Sequence, residues 1–247
     1  MPEKNDIARV KLCTDTGVLK AIAAVTMLVD HIGAVLFPGD FWLRTIGRIS
    51  WPLFAYCLVV GFICTRSVKK YALRLLVFGL VSQPVYMWAF TPWLFSPETW
   101  ASQSFDYLWN SFDLNIFFTL LLGLAAIYGL RERKYMLTLA TVALSFIPAV
   151  SYGFMGVALI IVIWMMIYSE TSSFAAVLAL MCGSCFLLRP LNVDFGFCMV
   201  NIQGFSILAV PFMCMRTHTG WRLPKYAYYI FYPAHLLVLG MIANKII

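Results

Sequence analysis

Charge is what this chain has least of. Only 12% of its 247 residues are Asp, Glu, Lys or Arg, about half the share of a soluble domain, and that excludes an ordinary soluble fold. Apolar-polar alternation over strand-length stretches is absent, which argues against an outer-membrane barrel. The chain has no P-loop, no G-x-G-x-x-G after a strand and no Ser-His-Asp order, so these nucleotide and hydrolase motifs are excluded. No internal repeat is visible. No cleavable signal is expected either: residues 1–16 are polar and too long for a usual n-region, and no small-x-small site follows the first apolar run. The seven cysteines lie mostly in apolar runs, where they read as packing residues rather than a disulfide framework. Cys182 and Cys185 form a C-x-x-C with no second pair at metal-ligand spacing, and no metal is expected.

What the chain has is apolar length. It is 62% hydrophobic with a mean hydropathy of +0.84, which predicts an all-α polytopic bundle in a lipid bilayer. About nine spans can be drawn: 17–37, 49–64, 71–90, 114–130, 135–150, 154–168, 174–188, 202–215 and 226–247. Residues 1–16 form a polar tail and 17–247 a single transmembrane domain. Pro84, inside the third span, is expected to kink it. Several spans fall short of the about 20 residues of a straight crossing, so tilt, local thinning or a water-open cavity is expected to accommodate them.

The net charge of +7 sits in short clusters beside the spans, which fits membrane orientation and not nucleic acid. With the N-terminus inside, the clusters fall in the tail, 65–70, 131–134 and 216–225, while 91–113 and 151–153 carry no Lys or Arg. This positive-inside pattern places the C-terminus outside, in the periplasm if the membrane is a bacterial inner membrane. Arg44, Arg48 and Arg189 break the pattern, so they need another reason to be there.

The first span carries Lys20, Asp30 and His31. Ionisable groups inside a membrane are expensive and point to function. Lys20 and His31 are eleven residues apart, close to three helical turns, so they share one helix face with about 16 Å between them along the axis. A buried imidazole is a natural general base. Asp30 points about 100° away from His31 and is expected to pair with Arg44 or Arg48. Arg44, Arg48, Lys69, Lys70 and Arg74 are cations suited to a phosphate-bearing ligand, although Lys69 and Lys70 also serve as topology markers. His235 is a second intramembrane histidine, just after Pro233. Gln83 lies beside Pro84, and Asn115 shares a face with Thr119 and Gly123, a spacing also used for helix packing.

The segments LKAIAAVTMLVDHIGAVLFP, LRTIGRISWPLFAYCLVVG, KKYALRLLVFGLVSQP, NIFFTLLLGL, SYGFMGVALI and YYIFYPAHLLVL resemble the TraX family in order and spacing, from Leu19 to Leu239. The Asp-His and Gly-Arg-x-Ser-x-Pro-x-Phe elements carry most of the specificity. The resemblance implies an inner-membrane acetyltransferase of the kind that acetylates the N-terminus of conjugative pilin. The Lys20-x10-His31 spacing is also similar to the basic-x10-His pattern of the type-three membrane acyltransferase superfamily. On that similarity His31 is the catalytic base, with Asp30 beside it, and Lys20, Lys70 and Arg74 hold the phosphates of acetyl-CoA entering from the cytosol. A pilin or another envelope molecule is the expected acceptor. Two other readings stay open: a proton-coupled carrier, since Asp and His also build proton relays, and a non-catalytic assembly factor of a pilus or conjugation system.

Overall fold

A computed structural model describes residues 16–92, 112–168, 177, 192–194, 199–215, 219–221, 224 and 226–246. The basic tail with Lys4, Arg9 and Lys11, the loop acids Glu98 and Asp106, the seventh span apart from Val177, Cys182, Cys185, Arg189 and His218 lie outside the described residues.

Helix α1 is Thr16–Val35. It stops before Pro38-Gly39, and Asp40 then caps α2 (Phe41–Gly47) by accepting the Trp42 N–H at 2.9 Å. Helix α3 (Ser50–Cys64) follows after a two-residue break. Its Pro52 falls in the first turn, where no helical N–H is lost. Ser67 caps α4 (Val68–Phe90), and Asn115 caps α5 (Ile116–Arg131) at 3.1 Å from the Phe117 N–H. Helices α6 (Tyr135–Leu144) and α7 (Gly153–Tyr168) come next. A small antiparallel ribbon of β1 (Asn192–Asp194) and β2 (Met199–Asn201) leads into a 3₁₀ segment, Ile202–Leu208, then α8 (Ala209–Cys214) and finally α9 (Ala227–Ile246).

Helix α3 is the axis of the bundle. In the stretch Phe41–Cys64, 78% of the apolar window is buried, against 28% for α1, α4 and α9. A helix apolar on every side suits such a position, and Leu53, Tyr56, Val59 and Phe62 of α3 are fully buried. Helices α1, α5, α7 and α8 and the 3₁₀ segment pack around it. The apolar residues left exposed, such as Leu73, Leu80 and Val81 on α4 or Met136 and Leu139 on α6, are what a lipid-facing surface requires.

Among the described residues, four stretches are long and apolar enough to cross a membrane: Thr16–Val35, Phe41–Cys64, Val68–Phe90 and Ala227–Asn244. The count of nine is not reproduced among the described residues. Helices α5 and α7 have 16 residues each, about 24 Å at 1.5 Å per residue against a hydrocarbon core of about 30 Å. Helix α6 has 10 residues, and the eighth expected span divides into a 3₁₀ segment of 7 and a helix of 6. Hydropathy reports that a segment is apolar, not that it stays helical. The fifth span ends early because Ser145 and the turn before Ser151 take over its last carbonyls. Helix α4 runs on through Pro84. Pro84 leaves the Leu80 carbonyl without its helical partner, and one residue away the Gly79 carbonyl accepts from Asn115 Nδ2 at 2.7 Å.

Candidate functional site

The first span presents two polar faces about 100° apart, and each meets a different part of the bundle. Asp30 faces α2. Arg44 Nη1 lies 3.0 Å from one carboxylate oxygen and also donates to the Asp30 carbonyl at 3.1 Å, while Arg48 Nη2 binds the other oxygen. Arg48 is further held by the Arg44 carbonyl at 3.1 Å and by Gln203 Oε1 at 3.4 Å. A carboxylate taken out of water needs such partners. The contact depends on Gly47: an added Cβ there would sit 2.1 Å from Asp30 Cβ. Glycine therefore lets α2 approach α1 closely enough for both guanidiniums to reach one acid.

His31 faces inward. Its Nδ1 lies 2.7 Å from His235 Nε2 on α9, with the two rings within 9° of parallel. His235 Nδ1 is in turn 2.7 Å from the Phe231 carbonyl. The edges of Phe90 and Tyr232 close around the His31 ring, at 5.2 and 6.1 Å between centroids.

Both faces open on one cavity of about 820 Å³, whose walls include Asp30, His31, Arg44, Arg48, Tyr152 and Gln203. A second cavity of about 100 Å³ lies toward the other end of α1, lined by Lys20, Tyr71, Tyr228 and Tyr229 among apolar neighbours. Met27, Phe54, Ile116 and Tyr232 line both. These four side chains thus form the partition between a larger, charged chamber at His31 and a smaller, aromatic one at Lys20. Met27 lies on the α1 face that also carries Lys20 and His31, seven residues on from the lysine and four before the histidine.

The family model described as "TraX protein" matches residues 15–243. The chain belongs to the TraX family. It is 28% identical over 239 residues to a probable fimbrial assembly protein, FimC, of Dichelobacter nodosus, covering 90% of this chain and 92% of that one. It is 25% identical over 237 residues to Protein TraX of Escherichia coli, covering 92% and 86%. No solved structure matches it.

In this TraX-family chain the expected pairing of Asp30 holds with both arginines. His31 and His235, 204 residues apart, are brought together. Lys20 is half-buried on the smaller cavity. Arg74 lies one layer behind, over the Tyr71 ring at 5.4 Å and against the Tyr229 phenol. Lys70 is exposed at the first turn of α4, where its backbone N–H donates to Ser67. Gln83 and Asn115 line neither cavity and clamp one another instead. Gln83 Oε1 accepts from the Asn115 N–H and Nδ2, each at 2.9 Å, and Gln83 Nε2 donates to the Asp113 carbonyl at 2.7 Å.

Two cavity residues escape a sequence reading. Gln203 offered a faint signal, a lone amide opening an apolar run. Tyr152 offered none. Its φ of 57° is a left-handed conformation costing a non-glycine residue roughly 1–2 kcal/mol, and it stacks on Trp51 at 4.7 Å. The neighbouring Ser151 pins this turn, donating from Oγ to the Leu114 carbonyl and accepting at its own carbonyl from Thr119. Burial pushes the Tyr152 phenol up, against the opposing pull of the Arg48 guanidinium, so it stays a neutral donor on the cavity wall at pH 7.

Proposed function

We propose that this TraX-family protein is an inner-membrane acyltransferase, using acetyl-CoA to acylate an amine or hydroxyl of a pilin or other cell-envelope acceptor. The observation that carries the reading is the layout of α1. One helix face bears a cation on an inner aromatic cavity and an imidazole on an outer polar cavity, with a partition of four side chains between them. Lys20, supported by Arg74 behind the tyrosines, suits the anionic part of the donor. The acceptor arrives through the larger chamber. His31 takes the acceptor proton, the acceptor attacks the thioester carbonyl carbon, the C–S bond breaks, and the same proton returns to the departing thiolate. A positioned base supplies about 10²–10⁴-fold, and holding acceptor and thioester together supplies much of the rest.

A second reading has one observation in its favour: the name of the Dichelobacter nodosus relative is that of an assembly protein. In that case the polar chamber docks a subunit without chemistry. Mass spectrometry of envelope proteins and glycans from cells with the chain, without it, and with His31→Ala separates the two. The acyltransferase reading expects one class of acylated product that disappears in both deficient strains. Unchanged acylation together with a pilus defect supports the assembly role.

A further inference from the structure

Of the two histidines, His31 lines the outer cavity and His235 does not. His235 stands behind it, so its part is decided by hydrogen bonding rather than by access to substrate. Its Nδ1 is 2.7 Å from the Phe231 carbonyl. A carbonyl can only accept, so the proton on His235 sits on Nδ1. In a neutral ring the other nitrogen, Nε2, is then a lone-pair acceptor. The only proton available for the 2.7 Å contact between the rings is therefore the one on His31 Nδ1. With Nδ1 protonated, His31 Nε2 carries the free lone pair.

We infer that His235 is a positioning residue: anchored by the Phe231 carbonyl, it holds His31 as the Nδ1–H tautomer and thereby selects His31 Nε2 as the basic nitrogen. The inference rests on the acyltransferase reading for its consequence, not for its geometry. It assigns to an imidazole the duty a carboxylate performs beside other catalytic histidines. The adjacent Asp30 is unavailable for it, since both of its oxygens are taken by Arg44 and Arg48. A neutral partner suits the site, because the pair is packed among the rings of Phe90, Phe231 and Tyr232, where charge is costly. The arrangement also ends in a backbone carbonyl, so His235 has no onward acceptor for a proton. A proton gained at His31 leaves by the cavity it entered, which is the route needed to protonate the leaving thiolate.

The test is NMR of nitrogen-15 and carbon-13 labelled protein in lipid nanodiscs at neutral pH, with the His31 and His235 ring resonances assigned in the unsubstituted protein through their sequence neighbours. The full-length, unsubstituted protein is expected to show His31 protonated on Nδ1 and bare at Nε2. His235→Leu removes the acceptor and is expected to move His31 toward the Nε2–H form. It is also expected to lower kcat by about 10- to 100-fold, the range for partners that orient a functional histidine, with KM for acetyl-CoA unchanged. His31 protonated on Nε2 in the unsubstituted protein overturns the inference, and this reading needs no variant to fold. A His31 tautomer indifferent to His235→Leu overturns it as well. The predicted tautomers without any acyl transfer count against the acyltransferase reading and support the His235 assignment.

Discussion

The two ends of α1 are built differently. At the Lys20 end a cavity of about 100 Å³ is walled by tyrosines and aliphatic side chains, with a single half-buried ammonium. At the His31 end a chamber of about 820 Å³ is lined by two acids, Asp30 and Asp113, two arginines and one member of a histidine pair. Polar groups this close together inside a bundle are costly unless they find partners, and the acid and the imidazole of α1 do. Asp30 is held by two guanidiniums and His31 by His235. Under the proposed function the two ends divide the work: the narrow one holds the donor chain against an apolar wall, and the wide one orients groups that exchange protons.

The comparison is broken most severely at His31. His31→Ala is expected to cut acyl transfer by about 10²–10⁴-fold while leaving acetyl-CoA stabilisation of the protein in thermal unfolding unchanged, because the ligand still binds the folded state. Near-normal turnover by a well-expressed His31→Ala protein removes the acyltransferase reading.

Asp30→Asn attacks the framework of the same end. Removing one partner of a buried ion pair costs about 3–5 kcal/mol. The low end, about 3 kcal/mol, is expected because the Arg44 side chain is still 21% exposed. A lowered Tm in detergent with reduced activity checks it. An unchanged Tm would mean that the arginines are held without the acid.

Gly47→Ala tests the same framework by crowding. The added Cβ would meet Asp30 Cβ at 2.1 Å, and overpacking of this kind costs about 1–3 kcal/mol. The loss should be smaller than that of Asp30→Asn and should be accompanied by weaker protection of the α2 amides in hydrogen exchange.

The Lys20 end is expected to respond in affinity alone and least of all. Lys20→Ala should weaken acetyl-CoA binding about tenfold, the worth of one charge-assisted contact, with kcat at saturating donor retained. Lys70→Ala, at an exposed position, should change binding by less than about twofold. Equal effects from the two lysines would mean that the smaller cavity does not select among them.

The parts of this site that the sequence revealed are those in which electrostatics demands a partner. An acid in an apolar span next to a loop holding two arginines leaves few ways to pair them, so Asp30 with Arg44 and Arg48 was legible. The Lys20–His31 face followed from helical periodicity. The histidine pair was not legible, because periodicity relates residues within one helix and says nothing of which face of α9 meets α1, 204 residues away. Gln203 and Tyr152 were hidden for the same reason, and the left-handed backbone of Tyr152 had no glycine at that position to announce it. The span count failed where apolar segments end early. In α6 and in the 3₁₀ segment before α8, hydropathy continues but the helical ladder does not.

Sidedness is the most direct test of the division of labour along α1. Oriented proteoliposomes would be given acetyl-CoA only on the side of Lys20 and an acceptor amine or hydroxyl only on the side of His31, with release of CoA thiol measured. Transfer is expected in that arrangement, and none when acetyl-CoA is supplied solely on the His31 side. Transfer at the same rate from either side would contradict it, because the two ends of α1 would then not be doing different things.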